Sequence, residues 1–140
     1  MKQDLASEFD MKDIGLMHYF LGLELWQEKG HIFLGQGRYT VDILSRFNMG
    51  DCKPMSTPVI TNWQKTHSAA SPLVNPTLYR QLIGSLMYMV NTRPNICFAV
   101  NTLCQFMVEP RMVHRVDAKH IIRYLQGTLE FGLEYSMEMV

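Results

Sequence analysis

Arg80, Gly84 and Tyr88 recur at steps of four in YRQLIGSLMYMVNTRPNI, residues 79–96. Residues four apart share one face of a helix, so a cation, a bare backbone position and an aromatic ring would stand in one row. Glycine inside a helix costs about 1 kcal/mol relative to alanine, and it is tolerated where something approaches the backbone closely. That something is commonly another helix. The sugar edge of a duplex minor groove is a further candidate, with the arginine bonding and the tyrosine ring stacking. A second row, Arg111, Arg115, Lys119 and Arg123, also recurs every four residues, beside the apolar stripe Ala118, Ile121, Ile122 and Leu125. Cations so placed suit phosphate contacts, which position a nucleic acid without reading its sequence. An ordinary solvated helix flank accounts for them equally well.

Other chemistries find little support. The sequence has no G-x-S-x-G elbow, and Ser85 follows a glycine inside a helical pattern, not at a strand-to-helix turn. His114, Asp117 and His120 share a rough helix side at steps of three, without the Cys or further His of zinc-like spacing. The plainer expectation is that His114 lines a helical bundle and His120 points partly to solvent. No G-K-[ST] phosphate loop occurs. Two-metal phosphoryl transfer needs carboxylates holding cations about 4 Å apart, and the sequence has no Asp-Asp step. Asp10 and Asp13 read as turn residues.

With 140 residues, 47% hydrophobic and 19% charged, the chain can bury a core. Its 13 basic and 13 acidic side chains cancel, so net charge selects no partner. Locally, residues 80–127 hold six cations (Arg80, Arg93, Arg111, Arg115, Lys119, Arg123) against Glu109 and Asp117, which points mildly to a polyanion. The end is acidic, with Glu130, Glu134 and Glu138. Three cysteines without C-x-x-C spacing suit a reduced, intracellular protein with buried thiols. No apolar run approaches the roughly 20 residues of a membrane helix, and charges interrupt the start, unlike a secretion signal. The expectation is therefore no membrane, no secretion and no further compartment.

The elements that would carry these residues follow from periodicity. Residues 1–9 suit the tail of a helix. MHYFLGLELWQ alternates at period two and predicts one strand, with Tyr19, Leu21, Leu23 and Leu25 on one face and Phe20, Gly22, Glu24 and Trp26 on the other. Gly30 supplies the turn of a hairpin, and IFLGQ returns. Such a hairpin needs something to pack on. RYTVDILSRF has helical spacing and Gly50 is its expected stop. Residues 51–76, with Pro54, Pro58, Pro72 and Pro76, predict a linker between two lobes. Three helices follow: one capped by Asn75 and running to about Thr92, one capped by Asn95 and running to about Val108, and one over about 111–126. FGLEY begins a strand. The fold class is α+β, a hairpin followed by a small helical bundle.

Four stretches also carry a resemblance. HYFLGLELWQEKGHIFLGQGRYTVDIL, MGDCKPMSTP, YRQLIGSLMYMVNTRPNICFAVNTLCQFM and HRVDAKHIIRYLQGTLEFGLEY resemble, in this order, the reverse transcriptase of Ty1/copia-type retrotransposon polyproteins. The resemblance covers nearly the whole chain. It implies a palm remnant with a primer-grip hairpin over 1–50, a proline-rich linker over 51–76, a helical thumb-like bundle over 77–127, and over 128–140 the start of a connection toward ribonuclease H. It makes Phe20, Leu21, Gly22 and Leu23 the primer grip, Arg80, Gly84 and Tyr88 the minor-groove track, and Arg111, Arg115, Lys119 and Arg123 supporting phosphate contacts. It departs from the family at Ile14, Asn95, Arg115 and Asp117, where members commonly carry Leu, Asp, an aromatic and a small residue.

The parent activity implied is RNA-directed DNA polymerisation with magnesium. The catalytic Y-x-D-D motif and the first metal-binding Asp belong upstream of this stretch, so the chain by itself is expected to be no enzyme, to hold no cofactor, and to bind an RNA–DNA or DNA duplex weakly. Two alternatives stand beside it: a part completed in trans by the remaining polymerase segments, and a protein–protein interaction module. Exposed apolar surface is expected on the hairpin.

Overall fold

A computed structural model describes residues 19–20, 23–59 and 71–136. The tail of a helix expected over residues 1–9 lies outside them. Four antiparallel strands form one sheet in the order β1 (Tyr19–Phe20), β2 (Leu23–Glu28), β3 (His31–Gly35) and β4 (Gly132–Ser136). The hairpin is as expected: Gly30 turns at φ +83°, a region that glycine enters without strain, and Trp26 stands opposite Phe33. The single strand expected around it is instead two. Phe20 pairs with Leu23 across an antiparallel ladder, and the same period-two pattern on both sides hides the division.

The last strand closes the sheet from the far end of the sequence. Gly132 pairs with Gly35, and a Cβ on Gly132 would collide with the Leu34 carbonyl and come within 2.8 Å of the Phe33 ring. Glycine is what lets β4 lie this close. The sheet is covered only partly: Trp26, Ile32 and Tyr135 are exposed, as expected of a hairpin short of neighbours.

Helix α1 (Gly37–Arg46) turns Thr40, Ile43 and Leu44 inward. It is stopped by Asn48 and not by Gly50: Asn48 adopts φ +56°, the left-handed conformation that asparagine tolerates. Helix α2 (Pro76–Met89) starts as the sequence requires. The Asn75 carboxamide oxygen accepts the Thr77 and Leu78 N–H groups at 2.9 and 3.4 Å, and Pro76 occupies the first turn, where its missing N–H goes unneeded. A 3-10 turn (Pro94–Ile96) leads into α3 (Cys97–Cys104), shorter than expected. Asn95 does not cap it; its side chain donates to the Tyr124 hydroxyl at 2.5 Å. Helix α4 (Met112–Gln126) matches its expected span, and the Arg111 N–H donates to His114 Nδ1 at its start.

One core joins all four helices. Ile43, Leu44 and Met49 pack in the same buried cluster as Ile83, Leu86, Val100, Ile121 and Leu125. The described parts of the expected linker do not separate two lobes but lie along α4. The Met55 N–H donates to the Arg123 carbonyl, Val74 N–H to Pro110, and Met112 N–H to Pro72. Three side chains of this helix and its cap also reach out. Arg123 Nε donates to the Lys53 carbonyl at 2.7 Å, His120 Nε2 to Thr57 at 2.8 Å, and Arg111 to Ser71 at 2.7 Å. Each acceptor precedes a proline: Pro54, Pro58 and Pro72. A residue before proline is held extended, which leaves its carbonyl free of helix bonding and available here.

Two polar joints fasten the sheet to the helices. Gln36, fully buried, donates to the Tyr88 carbonyl at 3.3 Å and accepts from the Thr92 hydroxyl at 2.6 Å. Arg93 is 3% exposed. Its guanidinium donates to the Thr128 carbonyl at 3.0 Å and hydroxyl at 2.6 Å, and it lies 5.5 Å from the ring centres of both Tyr124 and Phe131.

Replacing Thr92 by valine leaves the buried Gln36 carbonyl without its donor. The expected loss is about 1–3 kcal/mol, read as a lower denaturant midpoint at unchanged slope.

Candidate nucleic-acid interface

Helix α2 carries the first row of expected site residues. Tyr79, Leu82, Ile83, Leu86 and Met89 bury one side, and the Tyr79 hydroxyl donates to the Leu103 carbonyl at 2.6 Å, tying α2 to α3. Burial first, then the neighbouring Cys104 and Asp117, raises the Tyr79 hydroxyl above its ordinary range, so it stays a donor. The opposite side holds Arg80 and Gly84, both exposed. Among the described residues Arg80 has no hydrogen bond or ion pair.

Gly84 answers the question of close approach within the chain. A Cβ built there meets nothing within 4 Å beyond the helix's own nearby backbone. No other helix of the described residues packs against it, so the commonest reason for a glycine in mid-helix is absent. Tyr88, at the end of the row, is half-buried, and its ring meets the Tyr39 ring edge-on at 4.6 Å. It is held by the fold more firmly than a free stacking platform would be.

Arg46 was not legible as a site residue. It is exposed near the end of α1, and its guanidinium donates to Ser85 Oγ at 3.3 Å, which sets a second cation next to Gly84 in sequence. The partners are 39 residues apart, and no local pattern joins them.

The second row is divided by the fold. Arg111 and Arg123 donate to the carbonyls of Ser71 and Lys53 and strap α4 to the proline-rich segment. Arg115 and Lys119 line a groove of about 250 Å³ with Phe47, Val74, Leu78 and Leu82. Two steps along a helix turn about 200°, so Leu82 and Gly84 face opposite sides of α2. The groove cations and the Arg80–Gly84 face are therefore two surfaces. Arg93, counted in the basic excess of the sequence, is buried.

Of the expected primer grip, Leu21 and Gly22 lie outside the described residues. Phe20 is in β1, and Leu23 is half-buried in β2.

The three groups on α4 are not brought together as ligands. His114 is buried and stacks on Phe106 with ring centres 3.8 Å apart. His120, expected to point partly to solvent, is 6% exposed and donates to Thr57. The proline-rich segment covers it. Asp117 Oδ2 is buried without a hydrogen-bond partner, and burial raises its pKa to about 6. Among the described residues no group of three His, Cys, Asp or Glu side chains is placed to hold a metal, and no helix is long and apolar enough to cross a membrane. Cys52, Cys97 and Cys104 are all free thiols, each half-buried.

Comparison with known proteins decides the family. Residues 1–61 match the family model described as reverse transcriptase (RNA-dependent DNA polymerase). The chain is 41% identical over 130 residues to the retrovirus-related Pol polyprotein from transposon RE1 of Arabidopsis thaliana, covering 93% of this chain and 9% of that protein. By sequence it belongs with the reverse transcriptases of copia-type retrotransposon polyproteins. An uncharacterized mitochondrial protein of the same plant is 41% identical over 129 residues, 92% of this chain and 53% of that one. The putative transposon Ty5-1 protein of Saccharomyces cerevisiae is 32% identical over 137 residues, 96% of this chain and 44% of that one. The chain thus spans about half, or much less, of the relatives it matches. No solved structure matches.

Two outcomes follow from the geometry. Gly84→Ala fills open space on an exposed helix face and is expected to stabilise the fold by about 1 kcal/mol in chemical denaturation. Asp117 has a folded pKa raised above its unfolded value, so its contribution is fully present below about pH 4 and is lost as pH rises through about 6. Because part of the carboxyl group stays in contact with water, the loss is screened to about 1 kcal/mol. Asp117→Ala is expected to recover it at pH 7 and to flatten the fall in stability between pH 4 and pH 6.

Proposed function

We propose that the outer face of α2 follows the minor groove of a template–primer duplex, and that this chain serves a copia-type reverse transcriptase as a duplex-binding part, not as its catalytic centre. The observation that carries the reading is Gly84. A glycine in an exposed mid-helix position sacrifices helix stability, and within the described residues it makes room for nothing. Arg80 shares its face and has no hydrogen bond or ion pair among the described residues, Arg46 donates to the neighbouring Ser85, and α2 has no acidic residue to repel a phosphate. A nucleic-acid backbone is the ligand that uses an exposed backbone and flanking cations together.

The binding is weak and sequence-independent, because only a few free cations face outward. It weakens as salt rises, since each neutralised phosphate releases counterions. The polymerase chemistry, with its magnesium-binding carboxylates, belongs in this reading to other segments of the polymerase. The primer-grip role of Phe20, Leu21, Gly22 and Leu23 belongs to the same reading, as does the palm and thumb naming of the hairpin and the helices.

The test is fluorescence anisotropy of a labelled RNA–DNA hybrid at low and moderate salt. Arg80→Glu is expected to weaken binding by about tenfold or more. Gly84→Leu is expected to weaken it while leaving the fold as stable or more so, which separates binding from folding. A hybrid that binds the wild-type chain and both variants equally would remove α2 from the interface.

A further inference from the structure

The sheet carries a second exposed surface of the opposite charge. A trough of about 670 Å³ crosses β2, β3 and β4 and is walled by the segment before β4. Its aromatic lining is unusually open: Trp26 is 53% exposed and Phe131 60%. The Trp26 and Phe33 rings meet across the hairpin with centres 5.5 Å apart and planes tilted by 54°, and Gly35 and Gly132, having no side chains, let the Phe33 ring lie low against the strands. Phe131 is fixed from behind by the buried Arg93.

The rim is acidic. Glu28, Glu130 and Glu134 line the trough together with Glu24. Glu24 is balanced by Arg38, whose Nε lies 3.7 Å away. His31 sits 3.4 Å from Glu134 and offsets it only when protonated. Among the described residues Glu28 and Glu130 meet no cation, and no lysine or arginine lines the trough. Among the described residues the surface thus carries two carboxylates without a cation, Glu28 and Glu130, beside the Glu134–His31 pair and around an exposed indole. It repels a phosphate backbone, and an apolar floor with an acidic rim rewards the reverse pattern in a ligand.

We propose that this trough docks an extended protein segment in which arginine or lysine alternates with apolar side chains. The apolar side chains would lie on Phe33 and Phe131. A cation would sit over the Trp26 ring, an attraction of about 0.5–2 kcal/mol, with the rim carboxylates around it. In an extended segment successive side chains point to opposite faces, which presents one set to the floor and the other to the rim. The surface is separate from the outer face of α2, so it stands or falls independently of duplex binding.

Trp26 reports on its own occupancy. The experiment uses the full 140-residue chain carrying Trp63→Phe, so that Trp26 is the one indole. The probe is a short blocked peptide alternating arginine and leucine, and the control replaces its arginines with glutamate. The expected result is a saturable change in Trp26 emission with the arginine peptide alone. Glu28→Lys combined with Glu134→Lys is expected to weaken that response by about tenfold or more. Both positions are exposed, and circular dichroism verifies the fold; should the double variant unfold, Glu130→Lys serves as the second charge reversal. Equal responses to both peptides, or undiminished binding after charge reversal, would overturn the proposal. So would a concentration-dependent dimer abolished by Trp26→Ala, which would make a second copy of the chain the occupant.

Discussion

Among the described residues Arg93 is a cation buried without a carboxylate, and a charge leaves water at a cost of several kcal/mol unless other groups replace its hydration. Here the Thr128 carbonyl and hydroxyl accept from it, and the Tyr124 and Phe131 rings flank it. The arrangement fixes residues 128–131 against the start of the 3-10 turn. That segment delivers β4 to β3, and β4, with β1 on the other edge, turns an isolated hairpin, unstable in water by itself, into a four-stranded sheet. Gln36 works on the other side of the same joint, from the end of β3 to Tyr88 and Thr92. The sheet therefore depends on polar contacts to the α2–α3 junction more than on burial of its own faces, several of whose large side chains remain exposed.

The proline-rich segment follows a related rule. Prolines cannot donate backbone hydrogen bonds and hold the residue before them extended, so such a stretch offers acceptors and few donors. Helix α4 and its cap supply the donors: Arg111, His120 and Arg123 each take a carbonyl that precedes a proline. Two cations that suit phosphate on spacing alone are thereby used inside the chain. Its described parts, 51–59 and 71–76, lie along α4, so there a composition typical of linkers belongs to a packed surface.

The two surfaces left free differ in sign and chemistry. The outer face of α2 has exposed backbone and flanking arginines, while the sheet has open aromatics rimmed by carboxylates. A neutral net charge hides this segregation.

Much of this was legible in the sequence because it depends on neighbours along the chain. Asn75 and Pro76 set the start of α2, Gly30 set the hairpin turn, and apolar periodicity set α1 and α4. The row Arg80–Gly84–Tyr88 followed from helical spacing, and the long motifs led to the family. What stayed hidden depends on residues far apart. No local signal marks Asn48 over Gly50 as the stop of α1, the division of β1 from β2, the diversion of Asn95 to Tyr124, or the capture of Arg111 and Arg123 by carbonyls 40 and 70 residues away. Spacing places side chains on a face; only packing decides whether that face meets water, a carbonyl or the core. By itself the sequence determined the elements and the kinship, through local propensity and pattern. The tertiary structure alone decided which cations remain free and that nothing in the described chain fills the space above Gly84, because both depend on what the folded chain brings near.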